Sequence, residues 1–265
     1  MPTAAEDTAT SPHRARGACP HTVPFPFMDQ DWIRLSFLHW RYEPSIVQRL
    51  LPAGVELETF DGAAWVGLVP FLLRVRIPRG PAVPWLGVFA ETNVRTYVRG
   101  PDGESGIWFL SLEAPRRLAI WAARRAYHLP YRVAQMDMRC DSNVRAYTSW
   151  RMTGPHRGVS SRARVHIGER IPPAQVTPLE HFLTARWRLY APIAGGVGTA
   201  RVEHAPWGLW HATADDVDTR LLVATGLPTP HGDPLVHACD DVHASLTRLV
   251  ACTEHNTSRG VVRVA

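Results

Sequence analysis

Period-two alternation of apolar residues, cut at short intervals by glycine and proline, is what most limits how this chain can fold. Residues 56–77 (ELETFDGAAWVGLVPFLLRVRI) read as two strands around an Asp61-Gly62 turn. FAETNVRTYV (89–98) alternates with Glu91, Asn93 and Arg95 on one face and Val94, Thr96 and Val98 on the other. IWFLSLEA (107–114) reads as a further strand, and residues 133–167 as a strand meander with turns at 140–143 and 154–158. The 23 prolines and 10 tryptophans suit many turns and large aromatic packing units, not a helix bundle.

Helical spacing interrupts this pattern in three places. EPSIVQRLLP (43–52) places Pro44 near a helix start and closes at Pro52. Residues 116–127 (RRLAIWAARRAY) carry Leu118, Trp121, Ala122 and Arg125 along a stripe. TPLEHFLTARWRLYA (177–191) begins on a Thr177 cap and suits a short helix, or a helix followed by a strand. DWIRLSFLHWRY (31–42) reads as one strand. The expectation is a single α+β domain over 25–265, after a mobile leader at 1–24 rich in Pro, Thr, Ala and Ser. At 265 residues such a domain buries a sufficient core without staples.

Charge and cysteine usage remove several function classes. All 29 basic residues are arginine, and the net charge is +5. They are scattered among acids with no run of five, so no nucleic-acid partner is expected. The longest apolar stretch, Gly62 to Leu73, contains Pro70 and is too short to cross a membrane as a helix. Cys19, Cys140, Cys239 and Cys252 form no CxxC pair, and the N-terminus lacks the apolar run of a signal peptide. Reduced thiols in the cytoplasm are the expectation. Nothing in the sequence fixes the oligomeric state, and a homo-oligomer stays open.

Several blocks together resemble the YqjF-type, DUF2071 family of bacterial proteins. They are FLHWRYEPSIVQRLLPAGVELETFDGAAWVGLVPF, FAETNVRTYV, GIWFLSLEAPRRLA, and PLEHFLTARWRLYAPIAGG followed by VEHAPWGLWHA. That family stands beside acetoacetate decarboxylase. The resemblance implies a closed, cone-shaped antiparallel β-barrel with a few helices packed outside. It also implies a pocket at the barrel mouth holding an arginine, a glutamate and an imine-forming lysine. Arg41, eleven positions before Pro52, matches the substrate-facing arginine, and Glu91 matches the glutamate. The helix ending at Ala126-Tyr127 leads to the lysine positions, which here become His128, Leu129 or Pro130. The chain contains no lysine at all, and arginine cannot become a neutral amine nucleophile, so Schiff-base decarboxylation is excluded.

The remaining candidates are weighed as chemistry against packing. Glu91, Asn93 and Arg95 either line a cavity or lie on a solvated or salt-bridged strand face. In a cavity, Arg41 or Arg95 would clamp a carboxylate and Glu91, with a raised pKa, would move a proton. Burial of an unpaired carboxylate is costly, so arginine and glutamate are expected to pair. His39 is a second pocket group or a hydrogen-bonded core histidine. His128 is a proton shuttle or a helix-end histidine. Tyr131 lies beside it near the lysine positions. The C-terminal His231, His237, Cys239, Asp240, Asp241 and His243 match no zinc spacing, and no metal is expected. Gly195, Gly196 and Gly198 lack the lysine of a phosphate loop, no serine sits in a nucleophile elbow, and no cofactor is expected.

The function implied is a small-molecule pocket for a small oxygenated acid. It would act as a lysine-independent lyase (proton transfer, elimination or decarboxylation), or alternatively as a non-catalytic binding domain.

Overall fold

The Asp61-Gly62 turn forms as expected, with both residues at positive φ, and launches the longest strand of the molecule. The computed structural model describes residues 17–83 and 87–253. The first strands are β1 (Met28–Ile33), β2 (Ser36–Tyr42), β3 (Glu56–Leu57), β4 (Thr59–Phe60), β5 (Ala63–Arg76), β6 (Val88–Arg99) and β7 (Ser105–Ala114). The meander follows as β8 (Tyr131–Asp141), β9 (Val144–Arg151) and β10 (Ser160–Arg170). The rest are β11 (Arg188–Ile193), β12 (Gly196–His204), β13 (Leu209–Asp218), β14 (Leu235–Cys239), β15 (Val242–Leu246) and β16 (Val250–Ala251). Helices α1 (Pro44–Gln48), α2 (Arg117–Tyr127), α3 (Pro178–Thr184) and α4 (Arg220–Val223) pack among them.

All sixteen strands of the described residues belong to one sheet that closes on itself. One ring of seven runs β1-β15-β12-β11-β7-β6-β5 and returns to β1. A second ring of nine runs β7-β8-β9-β10-β13-β14-β2-β5-β6 and returns to β7. The fold is thus the α+β closed sheet expected. Its strands are not all antiparallel, because β7 pairs in parallel with both β8 and β11.

Shared strands explain a feature that alternation alone misreads. The first nine residues of β5 are all buried, and so is every residue of β6 from Glu91 to Val98. One side of this wall (Val69, Phe71, Leu73, Phe89) joins the core of the first ring, and the other (Val66, Leu68, Val94) that of the second. A strand covered on both faces carries a near-continuous apolar run.

Two local differences from the sequence reading have simple causes. The segment 31–42 is two strands, because Arg34 turns the backbone at φ 51° between β1 and β2. On α2 the buried residues are Ile120 and Tyr127, while Leu118 and Trp121, which share the helically spaced stripe, are exposed. The inward face combines small alanines (Ala119, Ala123 and Ala126) with Ile120 and Tyr127, and Leu118 and Trp121 lie off it. Residues 1–16 of the expected leader lie outside the described residues. Those at 17–24 meet the fold, where Val23 is buried and its N–H donates to Glu203.

Candidate functional site

The first ring encloses a cavity of ≈ 240 Å³, roofed by α2 and walled mainly by apolar side chains such as Phe71, Phe89, Phe109, Trp32 and Trp207. Glu91, Asn93 and Arg95 all line it. Their period-two spacing on β6 sends all three inward, as their shared face requires. A register shift against β7 sits between Val94 and Arg95: Val94 pairs Ser111, but Arg95 pairs Phe109. The extra residue, Leu110, changes the parity of β7. Ile107 and Phe109 face the cavity before it, Leu112 and Ala114 after it. Ser111 and Glu113 are thereby turned away to meet Arg151 of β9, Glu113 in a buried ion pair and Ser111 as a hydrogen-bond acceptor.

Glu91 is 4% exposed, and its Oε2 accepts a 2.8 Å hydrogen bond from the Tyr131 hydroxyl. Burial pushes its pKa up to about 7, the Tyr131 bond opposing the rise. The Tyr131 hydroxyl is itself driven well above its ordinary range, by burial and then by Glu91, so it remains a donor. A carboxyl poised near neutrality can give or take a proton at physiological pH.

Arg95 is 8% exposed and has no carboxylate partner among the described residues. Its guanidinium lies over Phe37 (5.2 Å) and Tyr97 (5.8 Å), and one terminal nitrogen donates to the Leu183 carbonyl at 3.3 Å. Arg95 Nε and Asn93 Oδ1 are buried without a hydrogen-bond partner. The expected Glu91–arginine pair therefore does not form. Tyr131 satisfies the glutamate, and aromatic faces with one carbonyl hold the guanidinium.

Below Arg95 lies a supporting layer. Tyr97 donates to the Leu183 carbonyl at 2.7 Å and stands 2.6 Å from His39 Nε2. Since the phenol proton is committed to Leu183, His39 Nε2 is the donor to Tyr97. His39 is buried against Phe37, and burial holds its pKa well below the ordinary value, with Arg95 adding to the effect. It is a neutral core histidine and does not line the cavity.

Two expected site residues lie elsewhere. Arg41 is exposed, its guanidinium over Trp65 (5.6 Å) and donating to the Asp61 carbonyl at 3.1 Å. It shares a face with His39 but sits further along β2, beyond the cavity, where it braces the 61–62 turn. His128 caps α2 in the left-handed conformation (φ 52°) and is exposed. Period two after the helix turns Leu129 and Tyr131 inward instead. An apolar side chain and a phenol thus occupy this part of the cavity wall. The C-terminal ligand candidates also disperse. Asp240 bonds Arg170 and Trp210, Asp241 accepts from the Arg34 N–H, and His243 meets Asp31.

A model for DUF2071, described as an uncharacterized conserved protein, matches residues 29–243. The chain belongs to the DUF2071 family. It is 35% identical over 215 residues to the uncharacterized protein YqjF of Bacillus subtilis (strain 168), covering 79% of this chain and 86% of that one. Among solved structures it is similar to an acetoacetate decarboxylase-like enzyme from Sphingomonas wittichii RW1. That match has a TM-score of 0.60 at 12% identity, over 89% of this chain and all of that one. It is also similar to the enduracididine biosynthesis enzyme MppR, complexed with the condensation product of pyruvate and imidazole 4-carboxaldehyde. There the TM-score is 0.59 at 13% identity, over 87% of this chain and 91% of that one. These likenesses establish an acetoacetate decarboxylase-like fold.

In this DUF2071 chain the cavity group that sequence reasoning undervalued is Tyr131. Its signal was parity: two residues past the helix-ending turn, on a strand, it points the same way as Leu129. Trp207 both packs in the aromatic core and lines the cavity. It stacks on Trp32 (5.8 Å), meets Phe37 edge-on, and closes one side of the cavity.

Proposed function

We propose that the protein binds a small organic acid in this cavity, carboxylate at Arg95 and Asn93, with Glu91 and Tyr131 as the proton-transfer pair. The reading rests above all on Arg95, a buried guanidinium without an acidic partner among the described residues. A desolvated cation is costly unless something neutralises it, and a ligand carboxylate does so with bidentate geometry. Asn93 adds amide N–H donors to the same anion. The aromatic wall suits the ligand's apolar body, and Glu91 exchanges a proton with the carbon or oxygen beside the carboxylate. The chemistry is lyase-like and independent of lysine. The MppR structure, which holds a condensation product of pyruvate, supports the acid class. Free thiols at Cys140, Cys239 and Cys252 support a cytoplasmic setting, and no described helix is long and apolar enough to cross a membrane.

Thermal-shift screening of keto and hydroxy acids tests the reading. A binding acid raises the melting temperature of the wild type. Arg95→Ala abolishes that rise, whereas Arg41→Ala leaves it intact. Glu91→Gln retains binding and loses turnover. Retained turnover in that variant removes Glu91 from the chemistry, and a ligand shift that survives Arg95→Ala overturns the carboxylate assignment. Binding without turnover in the wild type identifies a non-catalytic pocket.

A further inference from the structure

Outside the cavity, three side chains from three elements converge on one point. His211 of β13 and His237 of β14 are direct cross-strand partners, so their side chains share a face, and their rings stand 6.4 Å apart. Glu180 of α3 closes the group, its Oε1 3.0 Å from His237 Nε2. One ligand atom from each residue lies within 4.8 Å of the others.

The carboxylate is held in place from behind. Its second oxygen, Oε2, accepts from the Thr177 N–H at 2.7 Å and from Thr177 Oγ1 at 2.9 Å, as part of the box that caps α3. Oε1 is thereby aimed at the histidines. Glu180 and His237 are buried, whereas His211 is exposed and makes no hydrogen bond through its ring among the described residues.

From this juxtaposition we infer that Glu180, His211 and His237 form a binding site for a divalent transition-metal ion of the zinc class. Two imidazoles and one carboxylate are borderline donors that suit zinc, cobalt or nickel, whereas magnesium and calcium want oxygens alone. Metal–ligand bonds of about 2.0–2.2 Å place neighbouring donors roughly 3.3 Å apart in a tetrahedral site. Glu180 and His237 already stand 3.0 Å apart and His211 offers its ligand atom within 4.8 Å of both, so a swing of the exposed His211 ring completes the set. Binding replaces the hydrogen bond at His237 Nε2 by coordination, and the imidazole proton moves to Nδ1. Thr177 orients the carboxylate as an outer-shell partner. Solvent completes the shell on the exposed side.

None of the three residues lines the organic-acid cavity, yet the site bears on it through α3. Leu183 of that helix carries the carbonyl that accepts from both Arg95 and Tyr97. A metal pinning α3 to the β13–β14 pair holds that carbonyl in place.

Titration of chelator-stripped full-length protein with Co(II) and Zn(II) tests the site. One equivalent is expected to bind, with the visible absorption of low-coordinate cobalt. His211→Ala weakens binding at least about tenfold, while His128→Ala, another exposed histidine, leaves it unchanged. Zn(II) also protects one histidine, His211, from diethyl pyrocarbonate in the wild type, a readout that needs no variant. Absence of stoichiometric binding, affinity unaltered by His211→Ala, or modification of His211 undiminished by Zn(II) overturns the assignment.

Discussion

Replacing Glu91 by glutamine changes how stability depends on pH, and the size of the change follows from the burial of one carboxyl. The folded protein raises the Glu91 pKa from the ordinary 4.5 to about 7. In the unfolded chain the proton leaves near pH 4.5, and in the folded one near 7. Between these values the folded state binds more protons, so wild-type stability falls as pH rises through that window. Below pH 4.5 both states are protonated and the contribution is fully present. At about 1.4 kcal/mol for each pH unit, the full deficit above pH 7 is about 3 kcal/mol. Glutamine has nearly the same shape, can still accept from Tyr131, and does not titrate. Any offset it introduces in hydrogen bonding or packing is therefore independent of pH. Urea unfolding of both proteins between about pH 4 and pH 8.5 isolates the Glu91 contribution, because every other ionisable group cancels in the difference. The stability of Glu91→Gln relative to wild type is expected to rise by about 3 kcal/mol across that range. A difference that stays flat, or one that changes below pH 5 alone, refutes the claim that burial sets this carboxyl.

Tyr131→Phe removes the hydrogen bond that favours the Glu91 carboxylate, so the Glu91 titration seen by NMR moves further upward from about 7. Glu113→Ala strands the Arg151 guanidinium, which is 3% exposed, and is expected to cost about 3–5 kcal/mol in chemical denaturation.

How much of this was legible in the residues depended on whether a pattern fixes direction alone or also height. The alternation of β6 assigned Glu91, Asn93 and Arg95 to one face, and the fold turned that face into the cavity wall. The same logic grouped His39 with Arg41, and they do share a face. Alternation says nothing of how far along the strand the cavity extends, so Arg41 fell beyond it. At the end of α2 the residue count across a single gap left His128, Leu129 and Pro130 equivalent. The left-handed turn at His128 decides among them, and backbone conformation of a non-glycine residue is not written in composition. The β7 bulge is likewise silent in sequence, though it exchanges which residues of IWFLSLEA see the cavity. Glu180, His211 and His237 are far apart in the chain and meet through strand register, which no local spacing encodes.

The wall formed by β5, β6 and β7 stands between two interiors and has no outdoor side along most of its length. A residue there cannot be swapped for a larger one by letting it lean into water, since each face already has a tenant. Val94 and Arg95, adjacent in the chain, answer to different rooms. Adapting this chamber to a bulkier guest therefore has to draw on α2, whose outer surface faces away from it, and not on the partition behind Glu91.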